Sequence, residues 1–317
     1  MSYALKGFVF AAALLVSGFV SAAVVGVHIS DGCTEASFDQ DGRGIYEWMV
    51  DVNGHNKNVM KPPTSENVGP WSWLWFRTGG MTQERPLGFA RFPATGGGFP
   101  SGTVDPYTTG GNGAPSATTT YAYDDFVATV THTVECGTAP DPKGRPFNMI
   151  ARLHVDVVVE NTSSQDVEFN LFQYCNFVNP FAEDGDVAVD NLRITRTDDG
   201  IEVFQWDPNG GWGPDGWFVG EYIRMSANAT ATFVAIAVST GDVLWQALMD
   251  DAAMEFANLD SDWATGDVEW GIQWNFTLAP GEVASVAKTM FVGVPIPEPM
   301  TMTLLTLGGL AMLRRRK

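Results

Sequence analysis

Ala151-Arg152-Leu153-His154-Val155-Asp156-Val157-Val158-Val159 is the stretch on which the fold turns. From Leu153 to Val159 the odd positions are apolar, while Arg152, His154, Asp156 and Glu160 stand on the other parity. A period of two sends one face into a core and the other into water, as in an antiparallel strand packed on one side. The same period recurs elsewhere. Phe126, Ala128, Val130 and Val134 alternate with Thr129, Thr131 and Thr133. Trp270, Ile272, Trp274, Phe276 and Leu278 alternate with Glu269, Gln273, Asn275 and Thr277. One-faced strands of this kind predict a mainly β body, a large antiparallel β-sandwich.

Turn chemistry separates the strands. The polar run 160–166 reads as a hairpin between two long strands, and Ala279-Pro280-Gly281-Glu282 as a second turn. Residues 96–117, rich in Gly, Pro and Thr, read as a long loop. One helix is expected over Asp242 to Leu259, with Val243, Leu244, Ala247 and Leu248 on one face. No repeat and no linker divides the body, so it reads as one domain over residues 23–293. The stretches Leu153-His154-Val155-Asp156 and Leu171-Phe172-Gln173-Tyr174, with their Asn-Thr-Ser turn, resemble the large super-sandwich domains of sugar-handling proteins.

Both ends carry targeting features. Lys6, the apolar run Phe8 to Val20 and the small residues Val20-Ser21-Ala22 have the build of a secretory signal helix over residues 1–22, cut after Ala22 or Ala23. At the other end Pro297-Glu298-Pro299 precedes an apolar helix from Met300 to Leu313 and the basic end Arg314-Arg315-Arg316-Lys317. The prolines stop helix from running back into the body. The basic end stays on the cytoplasmic side. The apolar run is about 14 residues, roughly 21 Å at 1.5 Å per residue. A bilayer core is about 30 Å thick, so the run suits transient inner-membrane insertion better than a lasting anchor.

Residues 294–317 resemble the PEP-CTERM sorting domain through this order of Pro-Glu-Pro, short apolar helix and Arg cluster. The resemblance implies export, recognition by an exosortase-type membrane peptidase and cleavage near Pro297, Glu298 and Pro299. It also implies a Gram-negative, exopolysaccharide-making setting. Arg314, Arg315 and Arg316 complete the sorting signal.

The 317-residue chain carries a formal charge of −19. Removing both ends takes away five positive charges and one negative, which leaves the body near −23. So acidic a surface excludes nucleic acid as a partner, since binding it needs a basic footprint. Export permits a disulfide, and three cysteines leave one thiol over. Cys33 and Cys136, both at strand-to-loop transitions, are the expected pair if a bridge forms. Cys175, inside an apolar alternation, is expected to be buried.

Signals for chemistry are sparse. His28, His55, His132 and His154 stand in no metal spacing, and no nucleophile elbow or phosphate loop is present. His132 falls on an apolar face and reads as a core histidine, while His154 shares a polar face with Asp156. Asp39-Gln40-Asp41-Gly42 opens like a calcium loop but has Val50 at the twelfth position. Asp184, Asp186 and Asp190 form either a solvated acidic loop, the plainer reading, or a calcium site, the sole cofactor the sequence raises. Trp71, Trp73 and Trp75 share strand parity and read as core. Trp212 and Trp217 flank a Gly-rich loop and are candidates for stacking on sugar rings. These observations lead to an exported surface or extracellular-matrix protein with a non-enzymatic body. The alternative is a carbohydrate-binding or polysaccharide-active sandwich.

Overall fold

The computed structural model describes residues 27–38, 44–52, 54–60, 72–87, 107–111, 113–177, 190–198, 200–206, 218–225, 230–238, 243–249, 252–256, 263–266 and 268–296. Eighteen strands make two antiparallel sheets. The first runs β1 (His28–Asp31), β2 (Thr34–Phe38), β3 (Gly44–Val52), β5 (Ser72–Thr78), β11 (Val167–Cys175), β17 (Val268–Leu278) and β15 (Thr230–Val238). Two short strands join it, β4 (His55–Asn58) beside β3 and β6 (Arg85–Pro86) beside β5. The second sheet runs β16 (Trp263–Gly266), β12 (Asp190–Thr197), β13 (Gly200–Trp206), β14 (Phe218–Met225) and β18 (Val283–Pro295). It continues through β10 (Phe147–Asn161), β9 (Phe126–Pro140), β8 (Ser116–Ala122) and β7 (Tyr107–Gly110).

Register fixes the faces, because residues opposed across antiparallel strands point the same way. Leu153 lies opposite Val134 and Met290, and Phe169 opposite Phe276 and Thr78. The apolar parities of β9, β10 and β18 therefore face those of β5, β11 and β17 across one core. Phe126 of the second sheet meets Phe169 of the first edge to face at 4.9 Å. Leu153, Val155, Val157, Trp270, Ile272 and Trp274 are all buried. This is the expected mainly β sandwich. The predicted terminal helices lie outside the described residues.

The turn read as a hairpin, 160–166, and the turn at 279–282 both carry the chain from one sheet to the other. Asn161 ends β10 in the second sheet and Val167 opens β11 in the first; Leu278 ends β17 in the first and Val283 opens β18 in the second. Each strand has a single apolar face, and crossing over lets these faces meet across the core. Asn161 ties the two crossings together. Its fully buried carboxamide donates to the carbonyls of Gln165 and Leu278, each at 2.7 Å, and accepts from the Ser163 amide at 2.8 Å. Its backbone exchanges bonds with Glu282 and Gly281.

Two further expectations need correction. The helix is shorter than 242–259: α1 spans Val243–Met249, with Leu244 and Leu248 buried. Beyond it, the Met254 amide donates to Glu84 and the Phe256 amide to Gln273, so sheet side chains take the bonds a helix would have needed. The stretch 96–117 is not all loop, because β7 lies within it and β8 begins at Ser116. Thr108 and Thr109 of β7 are residues with strand propensity, which the Gly- and Pro-rich composition had hidden.

Replacing Asn161 by Ala leaves the buried Leu278 carbonyl without its donor. Asn161→Ala is expected to lose about 2–3 kcal/mol in chemical denaturation, the cost of an unmet buried polar group plus a lost turn bond. A midpoint equal to that of the parent would show that the rim does not depend on this side chain.

Candidate functional site

The outer face of the second sheet gathers two rows of mostly polar side chains. Register places Thr133, His154, Thr289, Tyr222, Glu202 and Thr195 in one row across six strands. The adjacent row holds Glu135, Arg152, Phe291, Gly220, Phe204 and Arg193. All of them occupy the parity opposite to Leu153, so they look away from the core.

At one end Glu135 holds both Arg152 and His154. It accepts from Arg152 Nε at 3.0 Å and meets His154 Nε2 at 3.1 Å, while His154 Nδ1 lies 3.0 Å from the Thr289 hydroxyl. The hydrogen bond from Arg152, then that from His154, holds the Glu135 carboxyl at about 2. His154 therefore sits in a bonded triad with Glu135 and Thr289, while Asp156 is exposed on the same face.

The other end is built by the turn between β9 and β10. Arg145 donates through Nε to Asp141 at 2.8 Å and through Nη1 to Glu202 at 2.7 Å, and Nη2 reaches the Tyr222 hydroxyl. Tyr222 donates to Asp141 at 2.5 Å, and Lys143 pairs with Glu202 at 2.6 Å. Burial pushes the Asp141 carboxyl up, but the bonds from Arg145 and Tyr222 outweigh it and hold it below the ordinary range. Burial, with Asp141 as acceptor, raises the Tyr222 phenol, so it stays a donor.

This end rests on a second apolar cluster of Phe147, Met149, Phe204, Trp206, Phe218 and Phe291. The Arg145 guanidinium lies 4.7 Å from the centre of the Phe204 ring and 5.2 Å from that of Tyr222, within cation–π range. Two glycines make the cluster fit. A Cβ on Gly220 would come within 2.4 Å of the Phe291 ring, and one on Gly293 within 2.2 Å of the Phe218 ring. A small recess opens beside it between Pro142, Lys143, Thr197, Glu202, Tyr222 and Arg224.

Asp141, Glu202 and Glu135 are each paired with a cation on this face. Asp141 and Glu135 are held ionised, which suits fixed electrostatic recognition more than proton transfer near neutral pH.

The sequence-predicted positions distribute as follows. Trp212, Trp217, Asp184, Asp186, Pro297, Glu298, Pro299, Arg314, Arg315 and Arg316 lie outside the described residues. Asp190 opens β12 opposite Gly266. Among the described residues no three His, Cys, Asp or Glu side chains gather as metal ligands do. Cys33 and Cys136 form a disulfide linking the turn between β1 and β2 to β9, and Cys175 is a buried free thiol. His132 is buried, 4.2 Å from Phe38, and burial together with Lys288 lowers it to about 3, so it is neutral. Trp73 and Trp75 are buried as expected, but beside Tyr174 and Phe172 on the outer face of the first sheet. Sequence reasoning missed Asp141, Arg145 and Glu202, whose turn and strand positions follow no joint period.

No protein-family model matches the chain, and no curated protein matches it. Among solved structures it is similar to a polysaccharide lyase, with TM-score 0.45 and 12% identity over 83% of this chain and 33% of that one. It thus spans about a third of the lyase's length. It is also similar to a galactose mutarotase-like protein from Lactobacillus casei, with TM-score 0.43 and 12% identity over 84% of this chain and 99% of that one. At TM-scores this low the similarities carry no functional argument.

Two outcomes are expected from this geometry. A depressed carboxyl pKa adds stability that is present above the unfolded-state value and is lost as pH falls through the folded one. For Glu135 that window runs from the ordinary 4.5 down to about 2, and the contribution is small because the side chain is 51% exposed. Carboxyl NMR should give a Glu135 midpoint near 2 that moves toward 4.5 in Arg152→Met; an unmoved midpoint would remove Arg152 as the cause. Arg145→Met leaves buried Asp141 without its cation, and should cost about 3 kcal/mol in thermal unfolding. A much smaller loss would mean that Tyr222 alone satisfies the carboxylate.

Proposed function

We propose that the chain is an exported surface or extracellular-matrix protein, with a non-enzymatic body and a C-terminal segment that sorts it. The observation that carries this reading is the order of parts: a secretory signal, a sandwich body, then Pro297-Glu298-Pro299, a short apolar run and an Arg cluster. Two structural facts support it. The Cys33–Cys136 disulfide belongs to an oxidising compartment. On the open face Glu202 and Glu135 are paired with Arg145 and Arg152.

In this reading the apolar run lodges transiently in the inner membrane, and an exosortase-type membrane peptidase cuts near Pro-Glu-Pro. The test is intact-mass measurement of the protein recovered from a host carrying such a peptidase. The mature form is expected to begin near Ala23 and to lack Arg314 to Lys317. Recovery of a surface species that retains those residues would refute processing, and recovery only from the cytoplasm would refute export.

A second reading is that the body binds exopolysaccharide through the open face of the second sheet. The partly exposed row of Thr133, His154 and Thr289 favours it, because hydroxyl and ring groups fixed on a pleated face match a neutral, hydroxyl-rich ligand. Retention on a polysaccharide matrix, lost in Thr289→Val with His154→Ala, is the expected result. No retention on any glycan tested would remove this reading.

A further inference from the structure

The inner faces of the sheets carry polar side chains where the period calls for apolar ones. Lys288 of β18 stands between Val286 and Met290, Glu221 of β14 between Val219 and Ile223, and Gln173 of β11 between Leu171 and Cys175. These three meet in the middle of the sandwich. The Lys288 side chain is 4% exposed and that of Glu221 fully buried, with Lys288 Nζ 3.3 Å from Glu221 Oε1. Gln173 Nε2 donates to the same Oε1 at 3.0 Å and lies 3.3 Å from Oε2. The amine and the carboxamide are thus held against one carboxylate oxygen. Lys288 also donates to Ser72 Oγ at 3.1 Å. Buried Gln173 Oε1 has no hydrogen-bond partner among the described residues.

A buried ion pair is a poor device for stability alone, since an apolar pair of similar volume does as well or better. As chemistry the set is complete. It holds an amine nucleophile, an amide carbonyl as electrophile, and a carboxyl group touching both, in a water-excluding site where electrostatic effects are strong.

We propose that Lys288, Gln173 and Glu221 form a self-processing site that makes an isopeptide bond between the two sheets. Glu221 takes a proton from the Lys288 ammonium, and the freed Nζ attacks Gln173 Cδ. The protonated carboxyl, which lies against Nε2, passes that proton to Nε2, and the carboxylate then takes the second proton from Nζ as the carbonyl re-forms. The Nζ–Cδ bond forms, the Cδ–Nε2 bond breaks and ammonia leaves. Nothing is oxidised or reduced and no co-reactant is consumed.

The surroundings agree with these roles. Burial, opposed by Lys288 and Gln173, holds the Glu221 carboxyl above the usual range, so its acid form is accessible. Gln173 is flanked by Leu74 and Ile272 on its own sheet, which keep water away. Burial raises the neighbouring Cys175 thiol, so it remains protonated and does not compete as a nucleophile.

Mass spectrometry of the purified, reduced full chain tests the proposal. The expected mass is about 17 Da below that of the isolated species' sequence, the mass of the ammonia released. Tryptic mapping should recover the peptides bearing Gln173 and Lys288 as one joined species, uncut after Lys288. Glu221→Gln and Lys288→Met should each restore the full mass. A folded parent chain at full mass, cleaved by trypsin after Lys288, would overturn the proposal, as would an ammonia loss mapped to another residue. The parent's peptide map decides the question even where a variant does not fold.

Discussion

At the rim around Asn161 the chain crosses between the sheets at two places, residues 161–167 and 278–283. One crossing leads from β10 to β11 and the other from β17 to β18, and the Asn161 carboxamide bonds to both. These four strands carry most of the inner faces. A slip of one residue in either sheet would turn its apolar set outward and break the Asn161 bonds together. Alignment of the sheets, and hence the meeting of Gln173 with Glu221 and Lys288, follows from this rim. The interior site is a consequence of the topology rather than of any local motif.

The outward faces are treated differently, and the difference follows from what covers them. On the first sheet, α1 and residues 252–256 lie over β5, β11 and β17, with Glu269 accepting the Leu244 amide at 2.5 Å and Phe256 packing on Phe172 at 5.4 Å. Arg77 binds Glu84 at 2.8 Å beneath that cover and also pairs with Glu255. Every residue of β5 is consequently buried, although only alternate ones face the other sheet. Among the described residues no such layer lies over β9, β10 and β18 of the second sheet, and Glu135, His154, Asp156 and Thr289 stand on the outer parity. One end of it closes over the aromatic cluster through Arg145; the other presents Glu135, His154 and Thr289.

This asymmetry explains what was legible in the sequence. Strands with one open face show a clean alternation, so the parity from Leu153 to Val159 and from Phe126 to Val134 predicted both fold class and inner faces. The helix was visible through Leu244 and Leu248, but its end was not, because sheet side chains set that end by binding the amides of Met254 and Phe256. Sequence adjacency misread the turn at 160–166, since a polar turn between two long strands looks alike whether they pair or face each other. The interior cluster did leave a signal. Lys288, Glu221 and Gln173 each break an apolar parity with a polar side chain, in three strands far apart in sequence. The network of Asp141, Arg145 and Glu202 left none, because the turn that brings Arg145 over Phe204 has no periodicity to read.

The ties between the sheets differ in when they can form and what they withstand. The Asn161 bonds arise with folding and are lost with it. The Cys33–Cys136 disulfide joins residues 103 apart, linking the N-terminal hairpin of the first sheet to β9 of the second, and it needs an oxidising compartment. It anchors β1 and β2, which reach the rest of the first sheet only through β3. Cys175 does not disturb this pairing, because a fully buried, protonated thiol is a poor partner for exchange. The proposed Lys288–Gln173 bond would act at the centre, independently of redox state. Ties of different chemistry at the rim, the N-terminal edge and the centre do not fail under the same condition.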